Sequence, residues 1–190
     1  KLIDNYFNSV QDLVSDSEIT ERKKVEAIEL GCGEGFSTIR LREMLPKNVN
    51  LQASEYVDAL VPKAKKNNPG VKFTQESVYE TKHNDNQFDL IFLLEVLEHL
   101  DYPAEALAEI ARILKPDGYL ILGVPREPIW CTLNMLRGKY ITHFGNTPGH
   151  FNHWSTYTLQ KYLKKNFGKI IAKKTPLPWT IVLAQLPINK

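Results

Sequence analysis

Three groups of residues in this chain could do chemistry. The first is Glu29-Leu-Gly31-Cys-Gly33-Glu-Gly35, in which three glycines alternate with side chains. Glycines so placed let the chain turn tightly and let a ligand approach bare backbone N–H groups. The second is Glu55, 20 residues past Gly35, a carboxylate that can accept both hydrogen bonds of a ribose diol. The third is His143, His150 and His153, set among Phe144, Phe151 and Trp154. Imidazole titrates near neutral pH and suits a general base. His150, in Gly149-His-Phe-Asn-His-Trp-Ser155, is the candidate. No Cys, Asp or Glu lies near these histidines in sequence to complete a metal site, so no metal is expected. Cys32 and Cys131, 99 positions apart, suggest neither a disulfide framework nor zinc, and Cys32 reads as structural.

These groups need a frame. Residues 25–30 read as a short strand stopped at Gly31, and 36–45 as a helix ended by Pro46. A second strand at 49–54, a helix at 57–66 closed by Asn67-Asn-Pro-Gly70 and a third strand at 71–74 follow. Phe88-Asp-Leu-Ile-Phe-Leu-Leu94 is nearly all apolar, as expected of a strand buried on both faces. Residues 104–114 have helical spacing, Lys115-Pro-Asp-Gly118 reads as a turn, and 119–124 as the fifth strand. Such alternation predicts βαβ units, a parallel sheet with right-handed crossovers, and a ligand site at the strands' carboxyl ends. In front, Leu2, Ile3, Tyr6, Phe7, Val10, Leu13 and Val14 form one helical stripe. Residues 125–154 have weak periodicity and read as an insertion over the active site. Ser155 caps a helix carrying Leu159, Tyr162 and Leu163. Strands at 169–172 and 179–186 bring the total to about seven, and the last two are joined too closely for a helical crossover, so they are expected antiparallel.

Two ligand classes compete for the glycine loop. A dinucleotide fingerprint wants a sixth-place glycine where this chain has Phe36, and Glu29 and Glu34 would repel a pyrophosphate. S-adenosylmethionine is cationic and has no phosphate, so the charge pattern favours it over NAD. At this point the residues resemble a known family, the small single-domain class I S-adenosylmethionine-dependent methyltransferases, some of which act on quinones. Ile28-Glu-Leu-Gly-Cys-Gly-Glu-Gly35 is similar to that family's first motif, and Glu55 to the acid ending its second strand. Phe88 to Leu100 resembles the fourth strand and its turn, and Ala108 to Leu120 the helix and turn leading to the fifth.

The resemblance implies a Rossmann-like α/β fold with a seven-stranded, mostly parallel sheet, helices on both faces and an antiparallel last strand. It implies that Gly31, Cys32, Gly33 and Gly35 line the methionine moiety, with Glu29 orienting its ammonium. Glu55 would hold the ribose, Tyr56 would flank the adenine, and Ser77 and Val78 would meet its edge, Ser77 standing where the family usually has Asp. Leu94 and Glu95 would sit beside the methyl donor. A bland reading stands beside several of these. Glu29 could cap local N–H groups, Glu95 and Glu98 could favour a helix start, and His99 could serve packing or hydrogen bonding.

The implied activity is methyl transfer to a small-molecule acceptor by in-line displacement, releasing S-adenosylhomocysteine. Two alternatives stay open: a non-catalytic S-adenosylmethionine-binding partner subunit, and a nucleic-acid methyltransferase. Leu94-Glu-Val-Leu97 stands where base methylases carry an Asn-Pro-Pro or Cys motif, which disfavours nucleic acid.

Length and charge bound the rest. The 190 residues suit one domain, 1–190, with residues 1–20 as its N-terminal helix, and 43% apolar with 24% charged residues is a folded composition. No apolar run reaches a membrane span. The start, Lys1-Leu-Ile-Asp-Asn-Tyr6, lacks the apolar core of a signal peptide and lacks Met, which suggests trimming. A reduced, cytoplasmic setting is expected. The net charge of +2 conceals a split: all 22 carboxylate side chains lie at or before Glu127, whereas the last 63 residues carry nine Lys and Arg. Arg137 and Lys139 fall in the insertion, which suggests an anionic acceptor; the insertion's aromatics suggest an aromatic one.

Overall fold

The computed structural model describes residues 1–187; Lys190, counted above among the cations, lies outside the described residues. In chain order the elements are α1 (Leu2–Asp16), β1 (Val25–Leu30), α2 (Phe36–Met44), β2 (Val49–Glu55), α3 (Val61–Asn67), β3 (Lys72–Gln75), β4 (Phe88–Leu94), α4 (Pro103–Ile113), β5 (Leu114–Pro125), α5 (Ile129–Leu136), α6 (Thr156–Asn166), β6 (Lys169–Lys174) and β7 (Trp179–Gln185). The strands form one sheet in the order β3-β2-β1-β4-β5-β7-β6. β1 to β5 pair in parallel, and β7 runs antiparallel to both neighbours, as the short β6–β7 connection requires.

β4 explains why the sheet is covered on both sides. All seven of its residues are buried, and their alternation divides them between two cores. Leu90, Phe92 and Leu94 pack with Tyr6, Val10 and Leu13 of α1, while Ile91 and Leu93 pack with Leu107 and Ile110 of α4 and Leu159 and Leu163 of α6. Each such large side chain contributes about 1.5–3 kcal/mol when removed from water. In α4 the buried positions are Ala106, Leu107, Ile110 and Ile113, the one-sided stripe that makes this segment helical. Ser155 caps α6 with a reciprocal box: its hydroxyl accepts from Thr158 N, and Thr158 Oγ1 accepts from Ser155 N at 2.9 Å.

Three local expectations are corrected. Residues 115–118 are not a free turn, because β5 already begins at Leu114, opposite Phe88, and resumes after a register shift with Leu90 opposite Tyr119. The segment after β2 starts as a single 3-10 turn, Asp58–Leu60, before α3. The insertion contains a helix, α5, whose Ile-Trp-Cys-Thr-Leu-Asn-Met-Leu sequence is too uniformly apolar to show a stripe. A 3-10 turn, Ile141–His143, follows it.

Strand order reverses at β1, with β2 on one side and β4 on the other. A crevice opens at the carboxyl ends of strands beside such a reversal. The β1–α2 loop, the end of β2 and the end of β4 all reach it.

Candidate active site

The glycine loop is built against the end of β2. Gly31 N and Cys32 N both donate to Ser54 O, at 2.9 and 3.0 Å. Two of its glycines have distinct reasons to be glycine. Gly31 has φ +74°, and a Cβ there would come within 2.6 Å of a Val96 methyl; Gly33 has φ +57°, and a Cβ there would meet no atom within 4 Å. So Gly31 is small for packing, whereas Gly33 faces open space. Glu55 clamps the loop from the other side: its Oε2 accepts from Gly33 N at 2.7 Å and its Oε1 from Val57 N at 2.9 Å. Each oxygen keeps a lone pair, aimed at a cavity of about 720 Å³ that Gly33, Glu55, Tyr56, Ser77, Val78 and Glu95 help to line. Bare backbone, a carboxylate with spare acceptors and an apolar wall suit an adenosine with a cationic amino-acid tail.

A second cavity of about 610 Å³ lies against α1 and is lined by Tyr6, Phe7, Phe36, Arg40, Leu94 and Trp179 among others. Gly31, Gly33 and Glu95 line both cavities. Glu95 therefore stands at their junction. Its backbone is held in the left-handed region, φ +58°, by a hydrogen bond from its N–H to Gly123 O at 2.9 Å. Its Oε2 accepts from Trp179 Nε1 at 2.8 Å, while its Oε1 is buried without a partner. The Tyr6 hydroxyl is directed at the same carboxyl yet makes no hydrogen bond of good geometry. Burial, and then the nearby Glu98 carboxylate, push Glu95 well above the usual carboxylate range. Glu98, 1% exposed with neither oxygen partnered, is pushed by burial to about 8.

The other site expectations fall into place unevenly. Cys32 lines the second cavity, and burial holds its thiol near 12, so it is inert at neutral pH. Glu29 and Glu34, the basis for expecting a cationic ligand, do not face either cavity. Glu29 is buried under the loop, its Oε2 accepting from Thr38 Oγ1 at 2.5 Å, and burial raises its pKa; Glu34 pairs with Lys63 at 2.7 Å. The acidic side chains lining the first cavity are instead Glu55, Glu76, Glu95 and Asp101. Gly35 adjoins the loop but packs on Asn68 and Ala64.

His150 stands outside both cavity walls, edge-on to His99 at 4.8 Å and stacked on Trp130 at 6.1 Å. Burial and then the nearby His99 push its pKa down to about 4, leaving it neutral at neutral pH. His99 lines the first cavity, and its Nδ1 donates to Gly149 O at 2.8 Å. Arg137 and Lys139 line neither cavity.

Sequence reasoning missed Tyr6, Phe7, Val96, Leu100, Arg40 and Trp179 as cavity walls. Tyr6 and Phe7 were visible as part of an apolar stripe, but nothing in the stripe showed that one end of it would stay uncovered. The fold also brings Glu127 and Cys131 to His153, which sequence distance had concealed. Glu98, His99 and His150 form a similar group, the donor atoms of each lying within 4.8 Å of one another.

Comparison with known proteins agrees with this fold. Residues 28–122 match the family described as "Methyltransferase domain". A ubiquinone biosynthesis O-methyltransferase of Rickettsia bellii is 27% identical over 167 residues, covering 85% of this chain and 60% of the relative. The chain thus spans under two thirds of that protein's length. A SAM-dependent methyltransferase from Aquifex aeolicus superposes with a TM-score of 0.69 at 17% identity, covering 91% of this chain and 87% of that one. The trans-methyltransferase CalH, solved in complex with SAH, superposes with a TM-score of 0.72 at 16% identity, covering 96% of this chain and 57% of that one.

Proposed function

This chain belongs to the methyltransferase-domain family, with S-adenosylmethionine as its cofactor, and from that premise we propose that it methylates a small, largely apolar acceptor at a proton-bearing oxygen. One observation carries the reading: two cavities meet at Gly31, Gly33 and Glu95. The cofactor supplies a methyl group on a sulfonium, already activated for in-line displacement. The chain's own task is then to align two partners and exclude water, which can supply on the order of 7–11 kcal/mol.

On the donor side, Gly33 leaves the space and Glu55 holds the ribose. Glu29 takes part from beneath the loop, through the α2 start that it fixes by Thr38. Tyr56, Ser77 and Val78 flank the adenine, and Leu94 closes the wall near the methyl. On the acceptor side, Tyr6, Phe7, Phe36 and Trp179 give an apolar bed for an aromatic or quinone-like ring, and similarity to an O-methyltransferase favours a hydroxyl as the nucleophile.

Glu95 is the proton acceptor in this proposal. Trp179 fixes one of its oxygens, leaving Oε1 free to take the acceptor's hydroxyl proton while the oxygen gains the methyl group. A cation bound beside it favours the ionised, proton-accepting form. A base role for His150 instead runs through His99, the only one of the two imidazoles in a cavity wall. The test is S-adenosylhomocysteine formation by purified protein with hydroxylated aromatic and quinol acceptors. Cofactor binding with no turnover on any of them would favour a non-catalytic partner subunit.

A further inference from the structure

Residues 135–144, from the end of α5 through the following 3-10 turn, are exposed at every position. Leu136, Ile141 and Phe144 stand 79%, 63% and 80% exposed, and large apolar side chains so exposed and so close together in the chain mark an interaction surface. The tip is held, not loose. Asn134 Nδ2 donates to Gly145 O at 2.9 Å, Lys139 N to Asn134 O at 2.9 Å, and Gly145 N to Tyr140 O at 2.9 Å. Gly145 itself is locked, since a Cβ there would strike the Cys131 carbonyl. Backbone bonds thus hold the tip in a shape that turns its apolar side chains outward.

Between those side chains stand Arg137 and Lys139, and residues 128–190 contain no carboxylate side chain. We propose that this tip docks on an anionic lipid surface, with Leu136, Ile141 and Phe144 entering the boundary between headgroups and acyl chains and Arg137 and Lys139 meeting lipid phosphates. Charge complementarity selects this occupant. Apolar side chains alone would serve a protein groove, whereas cations interleaved among them on a carboxylate-free segment match a uniformly negative plane. No helix among the described residues is long and apolar enough to cross a membrane, and the proposed contact through the tip is itself peripheral.

The position of the tip gives docking a use. Trp130, in the first turn of α5, packs on Trp179 at 6.0 Å, and Trp179 lines the acceptor cavity. The helix that carries the docking tip thus packs, through Trp130, on a wall of the acceptor cavity, which suits an acceptor drawn from the bilayer. The lipid proposal goes beyond the methyl-transfer reading and stands without it.

Co-sedimentation with vesicles of phosphatidylcholine, with and without phosphatidylglycerol, tests it. The chain is expected to sediment with the anionic vesicles, to be released as salt is raised, and to leave neutral vesicles largely unbound. Arg137→Gln and Lys139→Gln should each weaken binding roughly fivefold, and Phe144→Asp or Leu136→Asp at least about tenfold. Lys65→Gln on the exposed face of α3 should change it little. Cofactor titration of every variant shows that each is folded and reads the methyltransferase site separately. The proposal is overturned if the chain ignores anionic vesicles, or if the tip variants bind them as well as the parent does. It is also overturned if the same variants abolish self-association or a protein contact while lipid binding is absent.

Discussion

The two cavities meet at Gly31, Gly33 and Glu95, yet they are finished differently. On the donor side of the proposed site Glu55 accepts from two backbone N–H groups, and Gly31 N and Cys32 N are taken by Ser54 O. On the acceptor side the Tyr6 hydroxyl, and Glu95 Oε1 at the junction, are buried without partners. A buried unsatisfied polar atom costs about 1–3 kcal/mol. In the proposed assignment the donor side is preorganised for a ligand common to a whole family, while the acceptor side keeps unmet hydrogen-bonding capacity that its particular substrate would satisfy. Substitutions can break that contrast at several points.

The largest effect is expected at the junction. Glu95→Gln keeps the shape and the Trp179 contact but cannot take a proton, so turnover should fall by roughly 10²–10⁴-fold while cofactor affinity stays close to that of the parent. His150→Ala should change turnover little. A fall of that size in His150→Ala, with Glu95→Gln nearly active, would move the base to the histidine pair. Assays of S-adenosylhomocysteine release across pH separate the two, because loss of the base removes the limb of the profile that it governs.

Next in size is the donor side. In the proposed site Glu55→Ala removes two hydrogen bonds to the ribose and frees Gly33 N and Val57 N. At about 1.5–3 kcal/mol for each bond to an ionised group, cofactor affinity should drop on the order of 10²-fold or more by calorimetric titration. An unchanged affinity would remove Glu55 from the ribose site.

Glu98 offers a smaller effect, seen in stability. Its folded-state pKa, about 8, lies above the ordinary carboxylate range, so between roughly pH 4.5 and 8 the folded chain binds more protons than the unfolded one. Stability contributed by the neutral carboxyl is therefore complete at low pH and is lost as pH rises through about 8. Glu98→Gln should raise Tm at pH 8 and above, by an amount worth at most a few kcal/mol, and leave it nearly unchanged near pH 4. Circular dichroism melts across that range read it, and a Tm gain equal at all pH values would mean that the orphaned carboxyl is ionised throughout.

The same contrast marks how far the sequence could be read. The donor side was legible because it is local: a strand, a glycine loop and the acid ending the next strand lie within Val25–Glu55, and β-strand spacing sets them side by side. The sheet was legible for the same reason, since β4 announces burial on both faces and the β6–β7 gap leaves no room for a crossover. The acceptor side is assembled from Tyr6, Glu95 and Trp179, which only the folded topology brings together. Even on the donor side the reason was partly misplaced. Glu29 and Glu34 suggested a cationic ligand, but one turns under the loop to Thr38 and the other out to Lys63, because a strand-end carboxylate takes the nearest hydroxyl or ammonium. Distance in sequence likewise hid the approach of Glu127 and Cys131 to His153.

The finest test of the contrast compares two glycines two positions apart. Gly31 and Gly33 both have positive φ, so alanine at either carries a backbone penalty of about 1 kcal/mol. At Gly31 a Cβ also meets the Val96 methyl at 2.6 Å, and overpacking adds about 1–3 kcal/mol. At Gly33 the Cβ meets no atom of the chain; it projects into the space that the cofactor's amino-acid end fills in the proposed site. Gly31→Ala should therefore lower Tm more, and Gly33→Ala should lower it by only the backbone share while weakening cofactor binding by at least about tenfold, the equivalent of about 1.4 kcal/mol. Thermal melts without ligand and titrations with S-adenosylhomocysteine measure the two quantities independently. If Gly33→Ala bound as tightly as the parent, the open space beside it would not be where the cofactor lies, and the donor assignment would have to move along the loop.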